Sequence, residues 1–164
     1  QEKWCIIRVA LLLHKEGLPN LSYRDLAQAF ADRKQPTVHD VRRAVLDIRA
    51  KKFPDLVQEG TAGSFFLNPT VSNDVAMRLK EEYPALPQFA ATHGVKISLA
   101  WLLDHALHLR GMSVGKARLF EQQPLVIVVQ KNASSRDVYT LAHAVQKKVR
   151  EKIGIEIELE VLLM

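Results

Sequence analysis

The 164-residue chain is 48% hydrophobic and 25% charged, with seven glycines and seven prolines, which excludes collagen-like, low-complexity and wholly disordered chains. Its single cysteine excludes an intrachain disulfide and a cysteine-built zinc site. The net charge of +5 raises nucleic acid as a partner, but residues 1–53 carry 11 Lys or Arg against 6 Asp or Glu, while residues 54–164 carry 12 against 12.

No stretch approaches the roughly 18 apolar residues that a bilayer span needs, so no membrane partner is expected. The chain opens at Gln1 ahead of an apolar run and closes on Val161-Leu162-Leu163-Met164, the pattern expected of a piece of a longer protein. Residues 4–13, β-branched and then leucine-rich, predict a strand, broken by Gly17, Pro19 and Asn20. Residues 22–31 are weakly helical. Thr37-Val38-His39-Asp40 starts a better helix like a capping box, with Val38, Val41, Val45 and Ile48 on one face.

Residues 55–72 read as a loop, in which Gly60 and Gly63 lead into Ser64-Phe65-Phe66-Leu67-Asn68-Pro69. A short amphipathic helix is predicted over 73–83 and a second over 98–110. Leu125-Val126-Ile127-Val128-Val129 is apolar at every position, as in a strand covered on both faces. Ser134 to Asp137 cap the longest helix, with Val138, Leu141, Ala142, Val145 and Val149 at helical spacing before Gly154. A final strand alternates Ile155, Ile157, Leu159, Val161 and Leu163 with Glu156, Glu158 and Glu160. Strands separated by unequal helices give an α+β fold.

Several chemistries compete for these residues. Gly111 to Ala117 is one residue short of a phosphate-binding loop and has alanine where the magnesium-binding hydroxyl belongs. His105 and His108, three apart beside Asp104, have the spacing to share a metal on a helix but no third ligand at a defined distance. Leu26, Ala27 and Phe30 followed by a basic helix with Arg42, Arg43, Arg49, Lys51 and Lys52 could form a helix-turn-helix; a solvated outer face explains the same charges. Ser64 lies between a glycine and two large aromatics, where a loop can hold a hydroxyl rigidly against a ligand; a plain glycine-serine turn is the alternative. Alternating glutamates guard an edge strand, yet Glu160 lies deepest in the apolar ending and, covered by another domain, would lose solvation, a setting suited to proton handling.

Taken together, Ser22-Tyr23-Arg24-Asp25-Leu26, Arg49-Ala50-Lys51-Lys52-Phe53-Pro54-Asp55 and Ala62-Gly63-Ser64-Phe65-Phe66-Leu67-Asn68-Pro69 resemble the C-terminal half of the UDP-N-acetylenolpyruvoylglucosamine reductase family. The resemblance continues through Lys96 to Asp104, Gly111 to Gln123 and Ile157 to Val161, over nearly the whole chain. It implies an α+β substrate-binding domain over residues 54–164 and a remnant of a FAD-binding domain over residues 1–53. The family is a cytoplasmic flavoenzyme of peptidoglycan synthesis, in which NADPH reduces FAD, the flavin delivers hydride to the terminal enolpyruvyl carbon of UDP-N-acetylglucosamine enolpyruvate, and a protein acid protonates the carbon next to the carboxylate.

By this resemblance the acid is Ser64, and Glu160 matches the glutamate that assists the enolic intermediate. Lys52 matches a lysine near the reacting centre, Tyr23 the tyrosine of a loop over the nucleotide, and Asn68 and Gln123 residues that contact the UDP-sugar. The chain departs from the family pattern at Leu67, where lysine is usual, at Ala100, Lys116 and Phe120, and at Leu162, where arginine is usual. The alternatives are a helix-turn-helix nucleic-acid binder and a non-catalytic UDP-sugar-binding relative.

Overall fold

A computed structural model describes residues 6–13, 17–33 and 35–161, and the chain divides into two compact units, residues 1–48 and 49–164. In the first unit, residues 6–13 have no regular structure and are exposed throughout. The strand predicted there is not formed in its described part; Trp4 and Cys5 lie outside the described residues. A strand depends on a ladder partner more than on propensity, and among the described residues no strand pairs with this segment.

Helix α1 (Arg24–Ala29) realises the weak helical segment, and α2 (Val38–Lys52) the stronger one. The α2 start is the reciprocal box expected: the Thr37 hydroxyl accepts from the Asp40 N–H at 3.2 Å and the Asp40 carboxylate accepts from the Thr37 N–H at 2.8 Å. Val41, Val45 and Ile48 are half-buried, whereas Val38, Arg42 and Arg43 are exposed.

The second unit holds two antiparallel sheets. Strands β1 (Gly60–Ser64), β2 (Thr70–Val71), β3 (Gln88–Ala91), β4 (Gly94–Ile97), β5 (Ser113–Val114), β6 (Ala117–Phe120) and β7 (Gln123–Val129) are ordered β1-β7-β6-β5 and β2-β4-β3. Between them run α3 (Asn73–Glu82), α4 (Leu99–Trp101) and, last, α5 (Ser135–Ile153). The all-apolar run lies in β7, buried from Leu125 to Val128. Its Leu125 and Ile127 join the main core with Leu119 and the Leu141, Val145 and Val149 face of α5, while Val126 and Val128 pack with Phe120 in a smaller cluster. The alternate membership places the two clusters on opposite faces of one strand.

Helix α5 is bounded as predicted. Ser134 and Asp137 exchange hydrogen bonds at 3.2 and 2.9 Å, and Gly154 closes the helix at φ 75°. Arg78 of α3 adds a bond to the Ile153 carbonyl at 2.9 Å, satisfying an end carbonyl that the helix cannot.

Three further expectations need correction, and one hairpin was not expected. The loop predicted over 55–72 contains β1 and β2, which are short and glycine- or threonine-bearing; β7 and β4 supply the ladder that their own sequence does not advertise. The β3–β4 hairpin has no counterpart in the prediction. The helix predicted over 98–110 is capped by the Ser98 hydroxyl, accepting from the Trp101 N–H at 3.4 Å, but it widens to a π-turn over Leu102–Ala106 and ends there, with the Leu107 N–H bonded to the Leu102 carbonyl at 2.9 Å. The final segment alternates as predicted, with Ile155 and Ile157 buried and the three glutamates exposed, yet it makes one bridge, Phe66 to Leu159, instead of a ladder. The Ile157 carbonyl is taken by the Gln146 side chain at 2.8 Å, which ties the segment to α5. Leu162 and Leu163 lie outside the described residues.

Candidate functional site

The site grows from the register of β1 on β7. Gly60 faces Val129 and Thr61 faces Val128, but the next pair is Ser64 with Val126. Three steps along β1 therefore match two along β7, which is a β-bulge with one extra residue. In unbroken register Ser64 would face Leu125, whose side chain lies in the main core, and a one-residue slip moves a side chain to the other face. The bulge instead gives Leu125 to Phe65, whose N–H donates to the Leu125 carbonyl at 2.8 Å. Phe65 is buried and Ser64 exposed.

Phe65 also bonds on its other side, its carbonyl accepting from the Glu160 N–H at 3.0 Å; two residues on, the Leu67 N–H donates to the Glu158 carbonyl at 3.0 Å. A single buried residue thus joins the chain at Ser64 to the chain at Glu160. The rings of Phe65 and Phe66 meet edge to face at 5.6 Å and anchor the stretch in the core. Ahead of the bulge, Glu59 accepts from Arg118 at 2.6 Å, and Arg118 also reaches Glu121 at 2.5 Å, so the start of β1 is clamped to β6.

Asn68 caps α4: its Oδ1 accepts from the Leu99 N–H at 2.9 Å, leaving the amide NH2 as its donor end. It lines a cavity of about 270 Å³ with Leu67, Pro69, Thr70, Glu156 and Glu158, which includes neither Ser64 nor Glu160. Gln123 opens β7 and is half-buried, three residues from Val126, the partner of Ser64, or about 10 Å of strand. Lys52 ends α2 and is exposed, one residue from Phe53, over which the Arg49 guanidinium sits at 4.6 Å. Tyr23 belongs to the first unit, at the N-cap of α1, and is 60% exposed.

The metal and phosphate-loop patterns dissolve in the geometry. His105 stacks on Trp101 with ring centroids 4.8 Å apart, while His108 lies beyond the helix in a left-handed conformation at φ 52°, so the spacing of three does not present them together. Asp104 is turned to Arg110, which holds it in a two-pronged pair and keeps its carboxyl below the usual carboxylate range. Among the described residues no group of three His, Cys, Asp or Glu could hold a metal. Residues 113–120 form the β5–β6 hairpin, where a phosphate loop would lead into a helix. The features missed from sequence are the bulge and the part that Thr61 plays in it; the signal was a threonine two residues before Gly63 in a stretch read as loop.

Residues 55–164 match the family model described as UDP-N-acetylenolpyruvoylglucosamine reductase, C-terminal domain. Proteins named UDP-N-acetylenolpyruvoylglucosamine reductase from Salmonella typhi, Escherichia coli (strain K12) and Shigella sonnei (strain Ss046) are each 41% identical to this chain over 162 residues, 98% of the chain and 46% of their own length. The chain spans about half the length of these relatives. With its second unit matched almost from end to end, the chain belongs to the UDP-N-acetylenolpyruvoylglucosamine reductase C-terminal domain family.

Proposed function

We propose that the chain is the C-terminal part of an oxidoreductase that reduces UDP-N-acetylglucosamine enolpyruvate to UDP-N-acetylmuramate in the cytoplasm, for peptidoglycan synthesis. In this reading residues 1–53 end a flavin-binding domain and residues 54–164 bind the substrate. The observation that carries it is the bulge, which turns the Ser64 hydroxyl out of the core on a backbone bonded, through Phe65, to the backbone of Glu160.

Reduction of the enolpyruvyl ether adds hydride to the terminal carbon and leaves electron density on the carbon next to the carboxylate. That carbon then takes a proton. Ser64 donates it, forming a C–H bond as its O–H bond breaks, and the alkoxide left on oxygen is reprotonated from solvent. Serine is a weak acid, so the step needs close positioning and a cation to offset the developing charge; Lys52 is assigned that role. Glu160 assists the enolic intermediate. Asn68, through its amide NH2, and Gln123 hold the UDP-sugar, and Tyr23 contacts the nucleotide by resemblance alone.

FAD, reduced by NADPH, would supply the hydride. That α2, α3 and α5 start behind Thr37, Ser72 and Ser134, and not behind the glycine-rich turn at which a helix N-terminus meets a diphosphate, supports placing most of its cradle in the rest of the full-length protein. The helix-turn-helix alternative meets a direct obstacle, because residues 30–37 separate α1 from α2 where that motif has a turn of about 3–4 residues. No helix among the described residues is long and apolar enough to cross a membrane.

The test is made on the full-length enzyme. Ser64→Ala should slow reduction of the enolpyruvyl substrate by about 10²- to 10⁴-fold, the range of general acid catalysis, with flavin reduction by NADPH unchanged. Glu160→Gln should slow the same half-reaction while substrate affinity holds. Near-normal reduction in both variants would leave Ser64 a turn residue and Glu160 an edge guard.

A further inference from the structure

We propose that Thr61 is a positioning residue for Ser64, acting through the bulge between them; the inference rests on the reading of Ser64 as proton donor. The Thr61 hydroxyl works in two directions. It donates to the Ile127 carbonyl on β7 at 2.8 Å and accepts from the Gly63 N–H at 3.0 Å. One oxygen therefore fastens the extra residue to its own strand and to the neighbour across the ladder.

Gly63 completes the device. It stands at φ 83°, a conformation that a side-chain-bearing residue adopts only with strain, while a Cβ there would meet nothing within 4 Å. The glycine is thus required by its backbone angle and not by crowding. The positive φ permits the bulge, and the Thr61 hydroxyl supplies bonds that hold it in one form. Past the bulge, Phe65 is fixed by Leu125 and Glu160, so Ser64 is held between two anchored residues. Loss of the upstream anchor releases the hydroxyl's direction while the buried aromatics still keep the strand in place.

A proton donor acting on carbon is sensitive to such a release, since a misplacement of about 1 Å costs on the order of 10²-fold in rate. Thr61→Val keeps the β-branched shape and removes both bonds; Thr61→Ser keeps the hydroxyl. In the full-length enzyme, Thr61→Val should lower kcat for enolpyruvyl reduction by about 10- to 100-fold, with KM and flavin reduction by NADPH little changed, and Thr61→Ser should restore most of the loss. In a Ser64→Ala background, Thr61→Val should add nothing.

A second readout needs no turnover. Labelling alanine carbonyls with ¹³C and glycine nitrogens with ¹⁵N restricts the signals to Ala-Gly steps, of which this chain has one, Ala62-Gly63, identified in the full-length enzyme as the signal lost in Ala62→Ser. The Gly63 amide should be protected from exchange in the unaltered enzyme and in Thr61→Ser, and should exchange faster in Thr61→Val. Rapid exchange of the Gly63 amide in the unaltered enzyme would overturn the inference even if Thr61→Val failed to fold. A normal kcat in Thr61→Val, or an equal loss with and without Ser64, would overturn it while leaving Ser64 as the donor. A near-normal Ser64→Ala would instead remove the reading on which it rests.

Discussion

At the scale of single residues, charge pairing at Asp104 gives the clearest pH signature. Arg110 binds both carboxylate oxygens and also reaches the Glu121 carbonyl at 3.0 Å, so one guanidinium ties the π-turn to the β6–β7 connection. Its bonds lower the Asp104 pKa in the folded chain. A carboxyl lowered on folding contributes stability that is present above its unfolded value of about 4 and is lost as pH falls through the folded value. Asp104→Asn should therefore lower Tm above about pH 4 and differ less from the parent as pH falls below it, so that the acid limb of a plot of Tm against pH is flatter. An unchanged acid limb would mean that the pair adds nothing to the native state. Legibility at this scale was uneven. Ser134 and Asp137 declare a cap within four residues, because both partners lie in the same local stretch. Ser64 stood out by its neighbours, but its direction depends on Val126, a partner some sixty positions away, and no local pattern encodes a register.

Among the elements, those whose stabilising contacts are local or strongly periodic were readable, and those that lean on a distant partner were not. Helix α5 shows both of its caps and its buried stripe in its own sequence. The β3–β4 hairpin does not: Gln88-Phe89-Ala90-Ala91 leaves Phe89 and Ala90 exposed, so the two-residue alternation that betrays a half-buried strand is absent. What defines this sheet is the close passage of β2 over the hairpin turn. Gly94 stands at φ 116°, and a Cβ there would collide with the Val71 carbonyl of β2. Gly94→Ala should lose about 1–3 kcal/mol from the backbone conformation alone, with the collision adding to it. Urea unfolding followed by circular dichroism should show a lower midpoint at an unchanged slope; a midpoint equal to the parent's would show that β2 can retreat freely from the turn.

Over the whole molecule, stability and exposed apolar surface are divided between the two units. In the second unit Leu79, Leu102, Leu103, Leu119, Ile127, Leu141 and Ile153 are all but completely buried in one cluster. In the first, Leu26 and Pro36 are the buried apolar side chains among the described residues, while Ile6, Ile7, Val9, Leu11, Leu12, Leu13 and Leu18 are between 72% and 92% exposed. A unit with so little burial cannot offset the conformational entropy of ordering its backbone, about 1–2 kcal/mol per residue, whereas the second has the core of an independent domain. A chain of residues 49–164 should then fold alone. It should unfold cooperatively within a few degrees of the 164-residue chain, although the helical turn that carries Lys52 will fray without the Thr37 cap. The longer chain should bind a hydrophobic dye through its exposed leucines and isoleucines, and the shorter one much less. Thermal melts of the two chains followed by circular dichroism decide it: loss of the cooperative transition in residues 49–164 would mean that the first unit, for all its exposed surface, is required for the second to fold.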